Sequence, residues 1–560
     1  MGYSMEVTMT EIEVHFPDGS SIRTMYGTKV ESLLDRLEKQ ECPIIAVRAN
    51  NELLALSSRL EVNTNLEPIT LASTEGTMIY RRSLSFLLAV AAKELFPDRT
   101  LQVGHSLGHG YYYSFSDEKK PTTEELNALT EQMKELVEKN IPIRFMYISY
   151  ADALEHFTKN NQADTALLLE QQSKGMIPVN ECDGFIDVSI APLVPTTGIL
   201  STFEIMAYEN GFLLRFPPTG CNTKLDTFED SPKIFAVYRE YKKWGRIVGV
   251  HAVGNLNALV ANRKVREFIQ IAEAFQQKKL AEIADSIYEK RDSVKVILIA
   301  GPSSSGKTTT AKRLAIQMRV LGLDPIPISL DDYYVNHDKT PIDADGKPDY
   351  ECLEALDVEY LNLQLVDLLK GKEVEIPSYD FKTGLRRESS NNKVQLGRRG
   401  ILILEGIHGL NDKLTSHISR DRKFKLYVSA LTQLNLDDHN RISTSDNRLI
   451  RRMVRDNQFR GNSAAGTIHM WPSVQQGEKK HIFPFQDTAD VAFNSALDYE
   501  LSVLKVYAEP LLKSVKPTMI EYAEAVRLLS FLENFAPIPS QSVPSQSILR
   551  EFIGDSEFKY

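Results

Sequence analysis

The sequence predicts an α/β protein whose C-terminal part contains a parallel sheet flanked by helices. The stretch ILIAGPSSSGKTTTAKRL, residues 297–314, has an apolar strand pattern followed by a glycine-rich turn and a helical pattern. Strand and helix patterns continue to alternate through residues 293–515, which is typical of a parallel sheet. A length of 560 residues, with 42% hydrophobic and 25% charged residues, fits a chain of several globular domains.

The first segment, residues 1–73, is predicted to be a small ubiquitin-like module. EVTMTEIEVHFPDGSSIRTM alternates apolar and polar residues around a Pro-Asp-Gly turn, which predicts a β-hairpin. KVESLLDRLEKQ follows with helical spacing, and IIAVRANNELLAL indicates two short strands around Asn50 and Asn51.

Residues 74–245 are predicted to form an α+β domain. SLSFLLAVAAKELFP indicates a helix, and TTEELNALTEQMKELVEKN indicates a second helix that opens with a Thr-x-x-Glu capping signature at Thr122 and Glu125. The remaining predicted units are a helical connector, a third domain with the glycine-rich turn, and a C-terminal tail that ends in the apolar segment ILREFIGDSEF: residues 246–292, 293–515 and 516–560.

Composition favours some classes of protein over others. The chain has 65 basic and 75 acidic residues, so charge gives no support for nucleic acid binding, although binding by the N-terminal half stays an open alternative. The N-terminus shows no signal-peptide pattern, and no apolar stretch approaches the roughly 20 residues of a membrane span. The four cysteines, Cys42, Cys182, Cys221 and Cys352, lack CxxC spacing and are expected to be free thiols. We therefore expect a cytoplasmic protein without a membrane partner, and homo-oligomerisation stays open.

Residues 301–308 match the pattern G-x-x-x-x-G-K-[ST], which binds nucleotide phosphates. Glycines let the backbone wrap tightly, so that several N–H groups point at one anion, and the dipole of the following helix adds to this attraction. Lys307 can reach the β- and γ-phosphates, and the Thr308 hydroxyl can bind Mg²⁺. The predicted phosphate-binding residues are Gly301, Ser303, Ser304, Ser305, Gly306, Lys307, Thr308 and Thr309.

Two acidic residues follow apolar strand patterns in the same region. PIPISLDDYY contains Asp331, and GILILEGIHGL contains Glu405. Because the carboxyl ends of parallel strands face the ligand crevice, Asp331 could accept the proton of an attacking hydroxyl or hold a metal ion through water. Glu405 is predicted to support Mg²⁺. A helix cap or a solvated loop is the alternative interpretation of each acid taken alone.

A basic helix face is predicted beyond these strands. SDNRLIRRMVRDNQFRG places Arg448, Arg451, Arg452 and Arg455 at i, i+3, i+4 and i+7, so they share one face. Such a face is often only solvated, but in phosphoryl transfer it can close over the triphosphate and stabilise the charge of the transition state. We interpret these arginines as a lid.

Together these motifs resemble the uridine kinase and phosphoribulokinase family over about residues 293–500. GPSSSGKTT, SLDDYY, DYECLEALD, IPSYDFKTGLRRE, ILEGIHGL and DNRLIRRMVRD carry the resemblance. It implies a phosphotransferase that uses ATP or GTP, with Mg²⁺, to phosphorylate a small-molecule hydroxyl. The implied roles are catalysis by Asp331, Lys307, Arg448 and Arg451, acceptor binding by Asp331, Glu351, Tyr379, Arg386 and Arg448, and metal binding by Thr308, Asp331 and Glu405.

Two positions depart from the pattern of the pyrimidine-specific members. Their histidine after the YDF motif corresponds to Gly384 here, and their glutamine beyond the lid helix corresponds to Gly466. Glycine offers no side-chain hydrogen bond to a base and leaves room, so we expect a nucleoside kinase that is not strictly specific for pyrimidines. A kinase of another small alcohol, resembling phosphoribulokinase, and an RNA-binding regulatory NTPase are the alternatives.

The first half resembles the front end of threonyl-tRNA synthetase. FPDGS and LEPITLAST resemble its TGS module, and SLSFLLAVAAKELFP, GYYYSF and FIDVSIAPLVP resemble its editing-type second domain. The four potential ligands of that domain are replaced by Arg82, Phe86, Ser189 and Leu193, so the resemblance implies that the editing chemistry is lost. His105 and His109 lie in a predicted strand region, where i and i+4 do not share a helical face, and are interpreted as structural or surface residues. The half is expected either to regulate the kinase or to serve as a scaffold.

Overall fold

The computed structural model of the protein describes residues 11–37, 40–218, 220, 224–342, 346, 348–380, 383–387 and 392–559. Two N-terminal regions built around sheets precede three helices, and strands then alternate with helices in the C-terminal region. Within these described ranges, none of the helices combines the length and the apolar character needed to cross a membrane.

The first region is a small β-rich unit. Its strands are β1 Glu11–His15, β2 Ser21–Met25, β3 Thr28–Lys29, β4 Ile44–Ala49, β5 Glu52–Ala55, β6 Arg59–Leu60 and β7 Thr64–Thr70. The main sheet has the order β2-β1-β7-β4-β5, and β1 and β2 form the predicted hairpin. Asn50 and Asn51 both adopt positive φ in the predicted turn between β4 and β5. The segment predicted as an α-helix is a 3-10 helix, Val30–Arg36, which ends where Leu37 becomes extended.

The second region is an α+β unit with two sheets. Its elements are α1 Thr74–Leu95, β8 Leu101–Ser106, β9 Gly110–Phe115, α2 Thr123–Lys139, β10 Arg144–Ser149, α3 Tyr150–Lys159, α4 Ala163–Glu170, β11 Met176–Cys182, β12 Phe185–Val188, β13 Glu204–Tyr208 and β14 Gly211–Arg215. The sheets have the orders β13-β14-β9-β8 and β10-β11-β12. The predicted capping box starts α2, because Thr122 Oγ1 accepts from Glu125 N and Glu125 Oε2 accepts from Thr122 N.

Three helices lead into the C-terminal region: α5 Pro232–Ile247, α6 Val253–Ala261 and α7 Val265–Glu289. Helix α5 begins inside the segment assigned to the second region and packs on the C-terminal region. Lys233 Nζ of α5 donates to the carbonyl oxygen of Ala489 over 2.6 Å, and the Tyr241 hydroxyl donates to that of Asn494 over 3.3 Å. Helix α5 is therefore packed between the second region and the C-terminal region.

The C-terminal region is the predicted parallel sheet with helices. Its elements are β15 Val296–Ala300, α8 Lys307–Val320, β16 Asp324–Ser329, α9 Val358–Leu369, β17 Glu373–Glu375, β18 Ser378–Asp380, β19 Leu385–Arg387, β20 Lys393–Gln395, β21 Gly400–Glu405, β22 Lys423–Ser429, α10 Thr444–Arg460, α11 Ala464–His481, β23 Val491–Asn494, α12 Glu500–Lys513, α13 Tyr522–Leu532 and α14 Arg550–Ile553. The sheet order is β16-β21-β15-β22-β23, and all neighbouring pairs are parallel. β15 is fully buried at the centre, as expected for a parallel sheet covered on both faces.

A loop of the C-terminal region, residues 431–441, joins it to the second region through buried charges. The Asp438 carboxylate accepts from the backbone N–H of Asp164 over 3.0 Å and from the backbone N–H and hydroxyl of Thr165 over 3.3 and 3.4 Å. His439 Nδ1 lies 3.2 Å from Asp187 Oδ2. Burial lowers the pKa of His439, but the Asp187 carboxylate outweighs this effect and raises it to about 9. The two halves are therefore linked by a network that excludes water.

The cysteine prediction is wrong at one position. Cys182 and Cys352 are free and buried, as expected, but Cys42 is disulfide-bonded. Cys221 lies outside the described residues.

Replacing Asp438 by Ala should destabilise the contact between the halves. The variant leaves two buried N–H groups and one buried hydroxyl without their acceptor, which we expect to cost about 2–3 kcal/mol. Urea unfolding followed by tryptophan fluorescence measures the loss. The exposed Asp421→Ala variant is the control and should change the free energy of unfolding by less than about 0.5 kcal/mol. Equal effects of the two substitutions would contradict the assignment.

Candidate active site

The glycine-rich loop connects the end of β15 at Ala300 to the start of α8 at Lys307. A Cβ atom at Gly301 would lie 1.9 Å from the carbonyl oxygen of Val428, so only glycine lets the loop pass this close to β22. Gly306 caps α8 in the left-handed conformation, at φ +80°. The loop thus holds the first N–H groups of α8, which lack partners within the helix, in position to bind an anion.

Helices α10 and α11 brace this loop from the side. Glu478 accepts from the Ser303 N–H over 2.8 Å, and Arg448 Nε donates to the Ser303 carbonyl over 2.9 Å. Arg451 donates to the Ser304 carbonyl over 3.2 Å, and Arg452 donates to the Ser303 hydroxyl over 2.8 Å. Four side chains from two helices therefore fix two consecutive residues of the loop.

Arg448 and Arg451 differ from the predicted lid. Arg448 is buried and pairs with buried Glu478, while fully buried Arg451 pairs with Glu500 over 2.5 Å and donates to the Ser495 carbonyl over 3.0 Å. Buried arginines need such partners because an unpaired charge in the interior is costly. Both guanidinium groups are thus engaged with loop backbone and buried carboxylates, so they brace the loop instead of closing over it.

The later part of α10 supplies cations beside Asp331. Desolvation by the surrounding protein raises the pKa of Asp331, and Lys307, Arg460 and Arg455 partly oppose this increase. Asp331 lies in the 3-10 turn that follows β16, at the carboxyl edge of the sheet, as predicted from the strand pattern. Arg460 was missed by the sequence analysis because it falls outside the i, i+3, i+4, i+7 set.

Glu405 ends β21, between β15 and β16, and meets the start of α8. Its Oε1 accepts from the Thr308 hydroxyl over 3.1 Å and lies 3.4 Å from the Ser329 hydroxyl. Burial, and then the charge of Asp331, raises the pKa of Glu405 to about 7. The structure therefore brings Thr308, Glu405 and Asp331 together with Lys307 into one cluster, in which Asp331 is exposed and the other three residues are partly buried.

The oxygen donors of this cluster fit a magnesium ion. Hydroxyl and carboxylate oxygens are the ligands that this hard cation prefers, and it commonly binds few protein groups together with substrate phosphates and water. Consistent with such an incomplete protein set, the described residues contain no group of three or more His, Cys, Asp and Glu side chains placed to hold a metal ion alone.

An acidic and aromatic surface adjoins this cluster. Burial raises the pKa of Glu351 to about 7, with Glu478 adding to the increase and Arg452, Lys307 and Asp331 also close enough to affect it. A Cβ atom at Gly477 would lie 2.9 Å from Glu351 Cγ, so the glycine admits this carboxylate against α11. The ring of Tyr379 packs 5.5 Å from that of Tyr334. Glu351 and Tyr379 therefore lie near Tyr334, which in turn lies near Asp331.

Arg386, a predicted acceptor-binding residue, has a different partner. It forms an ion pair of 2.8 Å with Asp357 and packs over the ring of Tyr360 at 5.1 Å. Asp357 caps α9, so these contacts fix the β18–β19 hairpin to that helix. The structure assigns Arg386 a structural contact in place of the predicted one.

The open space expected at Gly384 is filled, and Gly466 lies far from the part of α11 that contacts the loop. Gly384 adopts φ +68°, and a Cβ atom there would lie 2.9 Å from Cγ of His337, whose ring already fills the space. Gly466 lies in the first turn of α11 and donates to the Ser463 hydroxyl over 3.1 Å. It is twelve residues, or about 18 Å along a helix, from Glu478, which contacts the loop. The argument from open space at these glycines is therefore wrong.

The four positions predicted to correspond to editing ligands take part in packing and backbone pairing in the second region. Phe86 and Leu193 are buried in one apolar core, and the Phe86 ring packs against Phe185 at 5.6 Å. Arg82 lies close enough to Asp446 at the start of α10 for their charges to interact. The Ser189 N–H donates to the Pro178 carbonyl, so this position continues the strand pairing around β11.

His105 and His109 of the strand region have different partners. His105 is buried and stacks on Tyr238 at 5.3 Å, and burial lowers its pKa to about 3. His109 lies in the following turn with Nδ1 2.5 Å from Asp226. Both contacts are those of structural residues.

Comparison with known proteins divides the chain in two. Residues 296–502 match the model of the phosphoribulokinase / uridine kinase family. The N-terminal region is similar to threonine–tRNA ligases, with 30% identity over 206 residues to that of Desulforamulus reducens and 32% over 164 residues to that of Thermoplasma volcanium. These matches cover 36% and 29% of this chain and 32% and 24% of the ligases, so the chain spans about a third or less of their length. The chain thus joins a synthetase-like front end to a kinase-family region.

Two solved structures similar to part of the chain are described as kinases. A possible uridine kinase from Bacillus stearothermophilus has 21% identity and a TM-score of 0.25, covering 39% of this chain and 100% of that one. A D-glycerate 3-kinase from Cryptococcus neoformans has 17% identity and a TM-score of 0.21, covering 48% and 89%.

Replacing Arg451 by Met should lower the free energy of unfolding of the region around the loop. The variant leaves Glu500 buried without its partner and frees the Ser304 and Ser495 carbonyls, at an expected cost of about 3–5 kcal/mol. Chemical denaturation measures this cost. Arg399→Met is the control, because its side chain is 69% exposed and its ion pair with Asp324 should contribute less than about 1 kcal/mol. A small effect at Arg451 would mean that the loop is braced by other contacts.

Proposed function

We propose that the protein is a nucleoside kinase that transfers the γ-phosphoryl group of ATP or GTP to a hydroxyl. The observation that carries this proposal is the cluster of Asp331, Lys307, Thr308 and Glu405 at the carboxyl edge of the parallel sheet. It combines a phosphate-binding loop with a carboxylate that can receive a proton. A protein that only binds or hydrolyses nucleotide as a switch would not need the adjoining acidic and aromatic surface.

Each residue of the cluster has a separate role in transfer. Asp331 orients the acceptor hydroxyl and takes its proton as the bond to phosphorus forms. Lys307 stabilises the negative charge on the β- and γ-phosphates, and the braced loop donates its N–H groups to the same oxygens. Bound Mg²⁺ would neutralise charge on the phosphates, and Thr308 and Glu405 are the residues that would hold it.

The side chains near Asp331 suit an acceptor that offers several hydroxyls. Glu351 and Asp331 are both acidic, and Arg386 is paired with Asp357. A polyol such as ribose can donate its hydroxyls to Glu351 and Asp331. Tyr334 and Tyr379 supply flat apolar surface for a ring. These features support a nucleoside over the phosphoribulokinase-like alternative.

Base selection is proposed to be broad. Gly384 has no side chain to offer, and the His337 ring that fills its space stacks on Tyr350 at 5.3 Å, with Nε2 in contact with the Tyr350 hydroxyl. A ring nitrogen already bonded within the protein is a poor reader of a base edge. The proposal of relaxed specificity thus rests on the engagement of His337, in place of the open space expected from the sequence.

The synthetase-like half is proposed to be a scaffold for the kinase. The loop bonded to it through Asp438 and His439 leads directly to Ser443, which caps α10. Helix α10 in turn carries Arg448 and Arg451, which brace the phosphate loop. Fixing the loop therefore helps to fix the helix, and this supports scaffolding over the regulatory alternative.

An acceptor screen with a base-deficient variant tests the function. Purified protein with Mg²⁺ and ATP or GTP should phosphorylate at least one nucleoside among purines and pyrimidines, as measured by nucleotide production. Asp331→Asn should lower kcat by about 10²–10⁴-fold, because the proton acceptor is lost, while ATP binding persists. Asp324→Asn, at the opposite end of the same strand, should retain kcat. Transfer only to a non-nucleoside alcohol would refute the acceptor class, and near-normal turnover of Asp331→Asn would remove Asp331 as the base.

A further inference from the structure

The C-terminal tail packs directly against the phosphate loop. Ile548, Leu549, Phe552 and Ile553 around α14 are buried in the same core as the central sheet. The Cγ2 atom of Ile548 lies 2.6 Å from the place where a Cβ atom on Gly306 would stand. The tail therefore covers the loop just where it enters α8.

One carboxylate of this tail occupies donors of the loop. Glu551, which is 8% exposed, accepts from the Thr309 backbone N–H over 3.2 Å and from the Thr309 hydroxyl over 2.6 Å. Thr309 is the third residue of α8, so its N–H belongs to the set that points out of the helix N-terminus. A carboxylate is an anion, and it uses here the kind of contact that the glycine-rich motif provides for phosphate.

The charge of Glu551 also reaches the rest of the cluster. The Glu551 carboxylate helps to raise the pKa of Glu405. It also opposes the lowering of the pKa of Lys307 that burial causes. A nucleotide phosphate arriving at the loop would thus meet a third carboxylate in addition to Asp331 and Glu405. Like charges at such short range oppose binding by a large factor.

Arg455 of α10 is a second partner of Glu551. Its guanidinium nitrogen lies 4.0 Å from Glu551 Oε1, while Oε2 accepts from Thr309. Both contacts are present together, so a rotation of the Glu551 side chain toward Arg455 would release Thr309 and keep one partner for the carboxylate.

We propose that Glu551 occupies the place of a donor phosphate at Thr309 and that nucleotide binding displaces it toward Arg455. The tail is thus an autoinhibitory contact that lowers the affinity of the loop for nucleotide. This inference rests on the proposed function only in taking a nucleoside triphosphate as the ligand of the loop.

Glu551→Gln in the full-length chain tests the inference. The substitution keeps an oxygen acceptor for Thr309 and removes the negative charge, so the Kd for ATP with Mg²⁺, measured by isothermal titration calorimetry, should fall about tenfold or more. Inorganic triphosphate should show the same change, because the effect acts on the phosphates. Glu557→Gln is the matched control, since Glu557 is an exposed carboxylate of the same tail bonded to Ser545 and Gln546, and its Kd should be unchanged.

Glu551→Asp gives an independent second variant. Its carboxylate is one methylene too short to reach Thr309 in the present position, so ATP should bind more tightly than to the unmodified protein. Circular dichroism and thermal melting establish that each variant is folded. An unchanged or weaker affinity in both folded variants would overturn the inference and show that Glu551 only anchors the tail.

The outcomes separate this inference from the proposed function. Tighter ATP binding to Glu551→Gln without phosphorylation of any nucleoside would support the contact and refute the nucleoside kinase. Nucleoside phosphorylation with no gain in ATP affinity would do the reverse. Failure of all three proteins to bind ATP or triphosphate would refute both.

Discussion

The structure of the C-terminal region depends on holding a loop whose backbone donors must stay available for a ligand. Such a loop cannot rely on its own hydrogen bonds alone, such as that from the Ser305 N–H to the Pro302 carbonyl, because the N–H groups at the start of α8 are the ones that an anion would bind. It is fixed instead from outside, by Arg448 and Arg451 of α10 and by Glu478 of α11. These charges are buried and therefore require partners of their own, which extends the network to Glu500 on α12.

The same constraint explains why so much of the chain is packed around one turn. Helix α10 must keep its arginines in register with the loop, and the segment before α10 is held by buried hydrogen bonds to the synthetase-like half. The positions that correspond to editing ligands have become part of this packing, with Phe86 and Leu193 in the core and Arg82 near Asp446. This region thus contributes a surface on which the segment before α10 is fixed.

Some features were predictable because they depend on neighbours in the sequence. The Thr122 capping box, the Asn50–Asn51 turn and the alternation behind the parallel sheet all follow from local spacing and backbone preference. The carboxyl edge of a parallel sheet also predicts that Asp331 and Glu405 lie close together, and Glu405 accepts a hydrogen bond from Thr308. The segment at 30–36 was predicted as helical but formed a 3-10 helix, since helical spacing alone does not distinguish the two.

By itself, the sequence determined the fold class of the C-terminal region, the phosphate-binding loop and the acids at the strand ends, because each is a local pattern with a fixed geometric meaning. Only the tertiary structure decided how the remaining charges are used. Buried or structural partners bind Arg448, Arg451 and Arg386. The His337 ring fills the space at Gly384, and Glu551, near the end of the chain, binds Thr309. Burial makes the pairing of a charge obligatory, but the partner is chosen by packing between residues distant in the chain, and one-dimensional spacing carries no record of that distance.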